Sequence, residues 1–185
     1  MSAKPQPERY RTIVADPPWA YPEGFHQLLP DGHRKTVLPY PALSLEEICE
    51  LPVRQLADRD CRLFLWTTNK YLEDAFTVQR VWGFRHVQTL VWEKTNAQPT
   101  QGSLAPNVEF LLVCRKGAPP RSRRMPSAVL RIPKGAHSQK PEAWLDWIEQ
   151  VSPGPYLELF ARRQRIGWDT WGDQSLCHIT LEPLP

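Results

Sequence analysis

The run Ile13-Val14-Ala15-Asp16-Pro17-Pro18-Trp19 constrains the fold of this chain more than any other stretch. Its β-branched residues suit a pleated surface covered on both faces, so Ile13 to Ala15 read as the end of a buried strand. Two prolines then remove two N–H donors, fix φ near −65° and hold the residue before each in extended geometry. The backbone can neither continue a ladder nor enter a helix at that point. It leaves the sheet stiffly, with Asp16 and the Pro17 carbonyl as fixed acceptors and Trp19 as a flat wall beside them.

The remaining chain alternates between strand and helix signals. Residues 11–15 are the first strand. Residues 20–39, with Gly24, Gly32 and no clear period, are a long loop that opens directly at the acid, and loops of that length in compact domains are commonly lids or disordered. Ser44-Leu45-Glu46-Glu47 fits a capping box opening a short helix that Pro52 ends. Residues 61–67 are a continuous apolar strand. Asn69 caps a helix with Leu72, Ala75, Phe76 and Trp82 at approximate helical spacing, and Gly83 stops it. Strands follow at 86–92 and 108–114, the second broken by Lys116-Gly117-Ala118-Pro119-Pro120. A short strand at 129–132 leads to a helix with Pro141 at its first position and Trp144, Leu145, Ile148 and Val151 on one face. The last strong strand is 156–161. Connections too long for hairpins argue for an α/β fold: one open, twisted, mainly parallel sheet with helices on both faces, binding ligands at the carboxyl ends of its strands.

A length of 185 residues and an apolar content of 41% fit one domain over 1–185, with residues 1–9 flexible. Cys49, Cys61, Cys114 and Cys177 form no C-x-x-C pair and read as free thiols in a reducing compartment. The five histidines lack metal-ligand spacing, so no metal is expected. With no signal-like apolar segment and no run of transmembrane length, a cytoplasmic protein without membrane contact is expected. The net charge of +3 permits a nucleic-acid partner without demanding one. Residues 116–134 concentrate Arg121, Arg123, Arg124 and Arg131, a loop able to contact phosphates without reading sequence, or simply a solvated basic loop.

Two fixed acceptors beside an aromatic wall suit the methylation of an amino group attached to an aromatic ring. Such a nitrogen is a poor nucleophile because its lone pair is delocalised. Acceptors aimed at its two N–H bonds stabilise the positive charge that develops as it becomes tetrahedral, and being fixed in advance they need no reorganisation.

These residues also carry a resemblance. Asp16-Pro17-Pro18-Trp19, Pro39-Tyr40-Pro41-Ala42-Leu43-Ser44, Leu63-Phe64-Leu65-Trp66-Thr67-Thr68-Asn69 and Trp82-Gly83-Phe84 occur in order. Val91-Trp92-Glu93-Lys94, Ser138-Gln139-Lys140-Pro141, Glu158-Leu159-Phe160-Ala161-Arg162, Gly167-Trp168 and Gly172-Asp173-Gln174 follow. In this the chain resembles the Asp-Pro-Pro-Trp family of S-adenosylmethionine-dependent adenine N-6 methyltransferases. The resemblance implies a circularly permuted Rossmann-like methyltransferase, with the catalytic motif ahead of the cofactor strand. It implies catalysis by Asp16, Pro17, Pro18 and Trp19, and S-adenosylmethionine held by Asp16, Ser138, Lys140, Arg162, Gln164, Asp173 and Gln174. Lys140 would take the cofactor carboxylate at a helix start, where the dipole also favours an anion. Asp173 stands where the family has asparagine. Tyr40, Thr68 and Glu109 match positions around the acceptor adenine, although Glu109 could instead pair with Lys94 or Arg115 in a strand.

The leading expectation is methyl transfer to adenine in DNA. RNA is the runner-up, and a catalytically silent nucleic-acid-binding partner of an active methyltransferase is the alternative from another class. The intact Asp16-Pro17-Pro18-Trp19 argues against the silent partner. A homodimer or a partner subunit is left open.

Overall fold

The computed structural model describes residues 9–20, 26–28, 34–36, 42–97, 107–120, 127–135, 140–173, 175 and 177–181. In chain order its elements are β1 (Tyr10–Ala15), β2 (His26–Leu28), β3 (Arg34–Thr36), α1 (Leu45–Glu50), α2 (Val53–Leu56) and β4 (Ala57–Thr67). A 3-10 turn (Asn69–Tyr71), α3 (Leu72–Val81), β5 (Arg85–Glu93) and β6 (Val108–Lys116) follow, then β7 (Val129–Arg131), α4 (Ala143–Val151), β8 (Tyr156–Leu159) and β9 (Trp168–Trp171).

Seven strands form one sheet in the order β7-β5-β6-β4-β1-β8-β9. The pairs β1–β4, β1–β8, β8–β9 and β5–β7 are parallel. Strand β6 runs against both its neighbours, β4 and β5. Its first residues therefore lie at the edge where the parallel strands end, which brings Glu109 to the carboxyl ends of β4 and β5, on the same edge of the sheet as that of β1. The sheet is open and mostly parallel, with helices on both faces, as expected for a Rossmann-like methyltransferase.

Period-two alternation divides the core between those faces. Ile13 and Ala15 of β1 join Leu63, Leu65, Leu112 and Leu157 beneath Ile48 of α1 and Ala75 and Val78 of α3. Val14 points the other way, joining Phe64, Trp66, Leu111 and Trp168 under Trp144, Leu145, Ile148 and Val151 of α4. That is the helix face expected from spacing. Complete burial of a side chain such as Ile148 is worth about 1.5–3 kcal/mol. None of the helices among the described residues is long and apolar enough to cross a membrane.

Local signals explain most boundaries, and several differ from expectation, among them the start of β4 at Ala57 ahead of residue 61, the end of β8 at Leu159 ahead of residue 161 and the additional strand β9. The Ser44 capping box is present: Ser44 Oγ accepts the Glu47 N–H at 3.2 Å and the Glu47 carboxylate accepts the Ser44 N–H at 2.7 Å. Pro52, after ending α1, becomes the N-cap residue of the additional short helix α2. Asn69 is not a helix cap. It opens the 3-10 turn, which satisfies the Tyr71 N–H through the Thr68 carbonyl before α3 begins. Pro141 lies ahead of α4 rather than at its first position, and its carbonyl accepts the Trp144 N–H at 3.1 Å. Within 20–39, where no regular structure was expected, His26–Leu28 and Arg34–Thr36 pair as an antiparallel hairpin. The rest of the proposed lid, beyond Ala20 and these six residues, falls outside the described residues.

Candidate active site

Ala15 pairs with Leu65 of β4 and Leu159 of β8, so Asp16 is the first residue beyond an interior strand of the sheet. Here the two prolines fix the chain's exit. The Pro17 carbonyl accepts the Trp19 N–H at 2.9 Å and the Pro18 carbonyl accepts that of Leu43 at 3.0 Å, tying the exit to the segment before α1. Each carbonyl has a second lone pair.

Trp19 is 5% exposed and stacks on Tyr71 at 5.5 Å between ring centroids, with planes 9° apart. The Tyr71 hydroxyl donates to the Ala20 carbonyl. One face of the indole is thus covered from within the protein, and Trp19 is a core residue that braces the motif rather than an open wall. Its Nε1 is buried without a partner among the described residues.

Asp16 lies in a cluster of charges drawn from five elements. Lys140, just ahead of α4, donates to both Asp16 carboxylate oxygens at 2.8 and 2.7 Å. The same ammonium is 3.2 Å from Glu109, which also pairs with Lys94 at 2.7 Å. Tryptophans support the two cations: Lys140 Nζ is 5.3 Å from the Trp66 ring centroid and Lys94 Nζ 5.3 Å from that of Trp92. Burial disfavours the charged form of Lys140, yet Asp16 and Glu109 outweigh this and raise its pKa. Burial likewise pushes the Glu109 carboxyl up, but Lys140 and Lys94 together bring it below the usual carboxylate range. Both groups are therefore held ionised.

Glu158 of β8 completes the cluster and was not among the site residues read from the sequence. It pairs in register with Val14 of β1 and Thr170 of β9, facing α4. Burial pushes its pKa up to about 7, with Asp16 adding to the effect and Arg163, Arg165 and Lys140 opposing it. Its Oε2 is buried without a hydrogen-bond partner among the described residues. The available signal was a carboxylate between two leucines in a short strand.

The structure thus brings Asp16, Lys140 and Glu109 into contact. Thr68 follows the carboxyl end of β4, one residue past Thr67, which pairs with Phe110. Arg162 begins the connection from β8 to β9 and Asp173 lies just past β9, both at the carboxyl edge of the sheet. Gln164 lies further along that connection, beside Arg165, whose carbonyl accepts the N–H of Trp168 at the start of β9. Tyr40, Ser138, Gln174, Arg121, Arg123 and Arg124 fall outside the described residues.

The MT-A70 family profile matches residues 10–174. The type II methyltransferase M.MunI of Mycoplasma sp is 34% identical over 181 residues, spanning 89% of this chain and 77% of that protein. The N(6)-adenosine-methyltransferase MT-A70-like protein of Drosophila melanogaster is 33% identical over 177 residues, 90% of this chain and 27% of its own length. The human N(6)-adenosine-methyltransferase catalytic subunit METTL3 is 30% identical over 177 residues, 90% of this chain and 28% of its own.

Proposed function

The chain belongs to the MT-A70 family of methyltransferases, and from that premise we propose that it transfers a methyl group from S-adenosylmethionine to the exocyclic amino group of adenine in DNA. The observation that carries the reading is the Asp16 carboxylate, fixed at the carboxyl end of β1 by two hydrogen bonds from Lys140. DNA is preferred because the match to the type II methyltransferase spans most of both chains. RNA is the second reading, favoured by the names of the N(6)-adenosine relatives, of which this chain spans 27% and 28%.

The residues present fit a zwitterionic cofactor. Glu158 Oε2, without a hydrogen-bond partner among the described residues, is an acceptor suited to a donor such as an α-ammonium. Lys140, whose three N–H bonds are taken by Asp16 and Glu109, would meet a carboxylate by exchanging its 3.2 Å contact with Glu109, which keeps Lys94. Arg162 and Asp173 edge the same side of the sheet and would hold the remainder, with Gln164 further along the connection that Arg162 begins. When bound, S-adenosylmethionine supplies an electrophilic methyl group on a sulfonium.

The chain's own contribution is orientation and charge. An ionised carboxylate has about four lone-pair directions, so Asp16 can accept from an amino N–H while Lys140 keeps it aimed. The second Pro17 lone pair is available to the other N–H. Both acceptors gain strength as positive charge grows on the nitrogen, which is the differential stabilisation that accelerates a reaction. Extruding the base from a duplex costs a few kcal/mol, favouring single-stranded or weakly paired targets.

A labelled-methyl transfer assay on unmethylated duplex DNA, single-stranded DNA and RNA tests this reading. Incorporation at adenine N6 of DNA is expected. Exclusive labelling of RNA would move the substrate, and no labelling of any nucleic acid would overturn the reading.

A further inference from the structure

Away from Asp16, three arginines stand abreast on one face of the sheet. Arg62 of β4 pairs in register with Arg115 of β6, and Arg115 pairs with Arg85 of β5. Residues directly opposite across a ladder project from the same face, so the three guanidinium groups form a row across three neighbouring strands. The face is the one that α4 covers nearer the site, since Phe64 and Val113, two residues along from Arg62 and Arg115, pack in the α4 cluster. At the row itself Arg85 and Arg115 are exposed and Arg62 is half-buried.

Like charges directly opposite one another destabilise a sheet unless something compensates them. Among the described residues, no carboxylate forms an ion pair with any of the three. Asp60 lies on the same face of β4, but its carboxylate is engaged by the Ala118 N–H at 2.8 Å and by Arg59 at 3.3 Å. Arg62 Nη2 donates to the Pro120 carbonyl, while its Nη1 is buried without a partner among the described residues. The chain carrying Arg121, Arg123 and Arg124 continues from that same Pro120.

We propose that Arg62, Arg115 and Arg85 bind the sugar-phosphate backbone of the nucleic acid whose adenine is presented to Asp16. This rests on the reading above that the substrate is a nucleic acid. A guanidinium can fork two phosphate oxygens, and a row of three on an open sheet face provides the missing countercharge to a linear polyanion better than to a single small anion. Arg62 pairs with Thr12, four residues before Asp16, so the row lies about 13 Å down the strands from the acid. Phosphates flanking the reacting nucleotide, rather than its own, would lie on it.

The test measures anisotropy of a fluorescein-labelled duplex against salt, using the full chain and the R62Q/R85Q/R115Q triple variant. Neutralisation should weaken binding about tenfold or more near 0.1 M salt and flatten the log-affinity against log-salt slope by up to about 2.7. Because Arg62 is half-buried, the R85Q/R115Q variant is measured alongside and should lose up to about two-thirds of that slope change. The R62K/R85K/R115K variant should retain most of the slope. Unchanged affinity and slope in both glutamine variants would overturn the proposal, as would an equal loss in the lysine variant. Methyl transfer by the unaltered protein to the same duplex reports separately on the functional reading, so the two can fail independently.

Discussion

Lys140 and Asp16, 124 residues apart in the chain, are joined through both carboxylate oxygens at 2.8 and 2.7 Å. The ammonium also reaches Glu109, so one cation balances two carboxylates in a largely buried setting. Lys140→Met should leave Lys94 as the partner of only one of them. A loss of about 3–5 kcal/mol is expected from breaking a buried pair on one side, measured by urea denaturation. An unaltered midpoint would mean that the pair contributes nothing to the fold.

Asp16→Ala separates chemistry from structure. Lys140 retains Glu109 as partner, so the variant should fold, with turnover reduced by at least about 10²–10³-fold, the usual cost of losing a group aimed at developing charge. Methyl incorporation under saturating substrate measures this. Substantial activity in a folded Asp16→Ala protein would remove Asp16 from the mechanism.

Glu158 gives the free protein a pH signature. Its carboxyl, pushed up to about 7 by burial, binds its proton more tightly in the folded than in the unfolded chain. Its penalty is therefore absent below about 4.5, grows as pH rises and is complete above about 7, reaching about 3 kcal/mol at most. Glu158→Gln should stabilise the free protein at pH 8 more than at pH 5. Denaturation at both pH values decides the matter, and an equal change at both would exclude the linkage.

Trp19→Ala should act first on the fold. With 5% of its surface exposed and Tyr71 stacked on it, the indole should cost about 3–5 kcal/mol to remove. Thermal unfolding measures this before any substrate is added. A variant of unaltered stability would show that the indole's chief role lies with the base.

Gly172 follows β9 and lies against the end of β8. A Cβ there would approach the Ala161 carbonyl oxygen to 2.4 Å and its nitrogen to 2.5 Å, where Ala161 donates to the Trp171 carbonyl. Gly172→Ala should displace the turn that carries Arg162, costing about 1–3 kcal/mol and weakening S-adenosylmethionine binding in calorimetry. Unchanged stability and affinity would show that the turn gives way freely.

Much of this architecture was legible because it rests on local rules. Ile13 to Ala15 and the apolar run to Thr67 read as strands, since burial on both faces leaves few polar positions, and Ser44 to Glu47 satisfies its N–H groups within four residues. The direction of β6 was not legible. The long connection before Val108 suggested a parallel crossover, yet its length is also compatible with the chain turning back beside β5. Strand β9 was missed because Trp168-Asp169-Thr170-Trp171 acquires strand character only from pairing with β8. At the site, Lys94 as a partner of Glu109 was one of the readings open in the sequence. Glu158 was passed over because its burial comes from β9 and α4, neighbours that no local window contains.

The position of β1 between β4 and β8 has a consequence for biosynthesis. Strand β1, which leaves a ribosome long before β8, is flanked on one side by that strand, whose pairing begins at Tyr156. Until that segment emerges, one edge of Thr12 to Ala15 has no native partner, and Lys140 and Glu158 are not yet both in place around Asp16. Contacts of such sequence separation form late and leave aggregation-prone edges exposed meanwhile. A nascent chain should therefore remain inactive until the segment through β8 has emerged, and arrest of translation before β8 should yield a product that relies on chaperones.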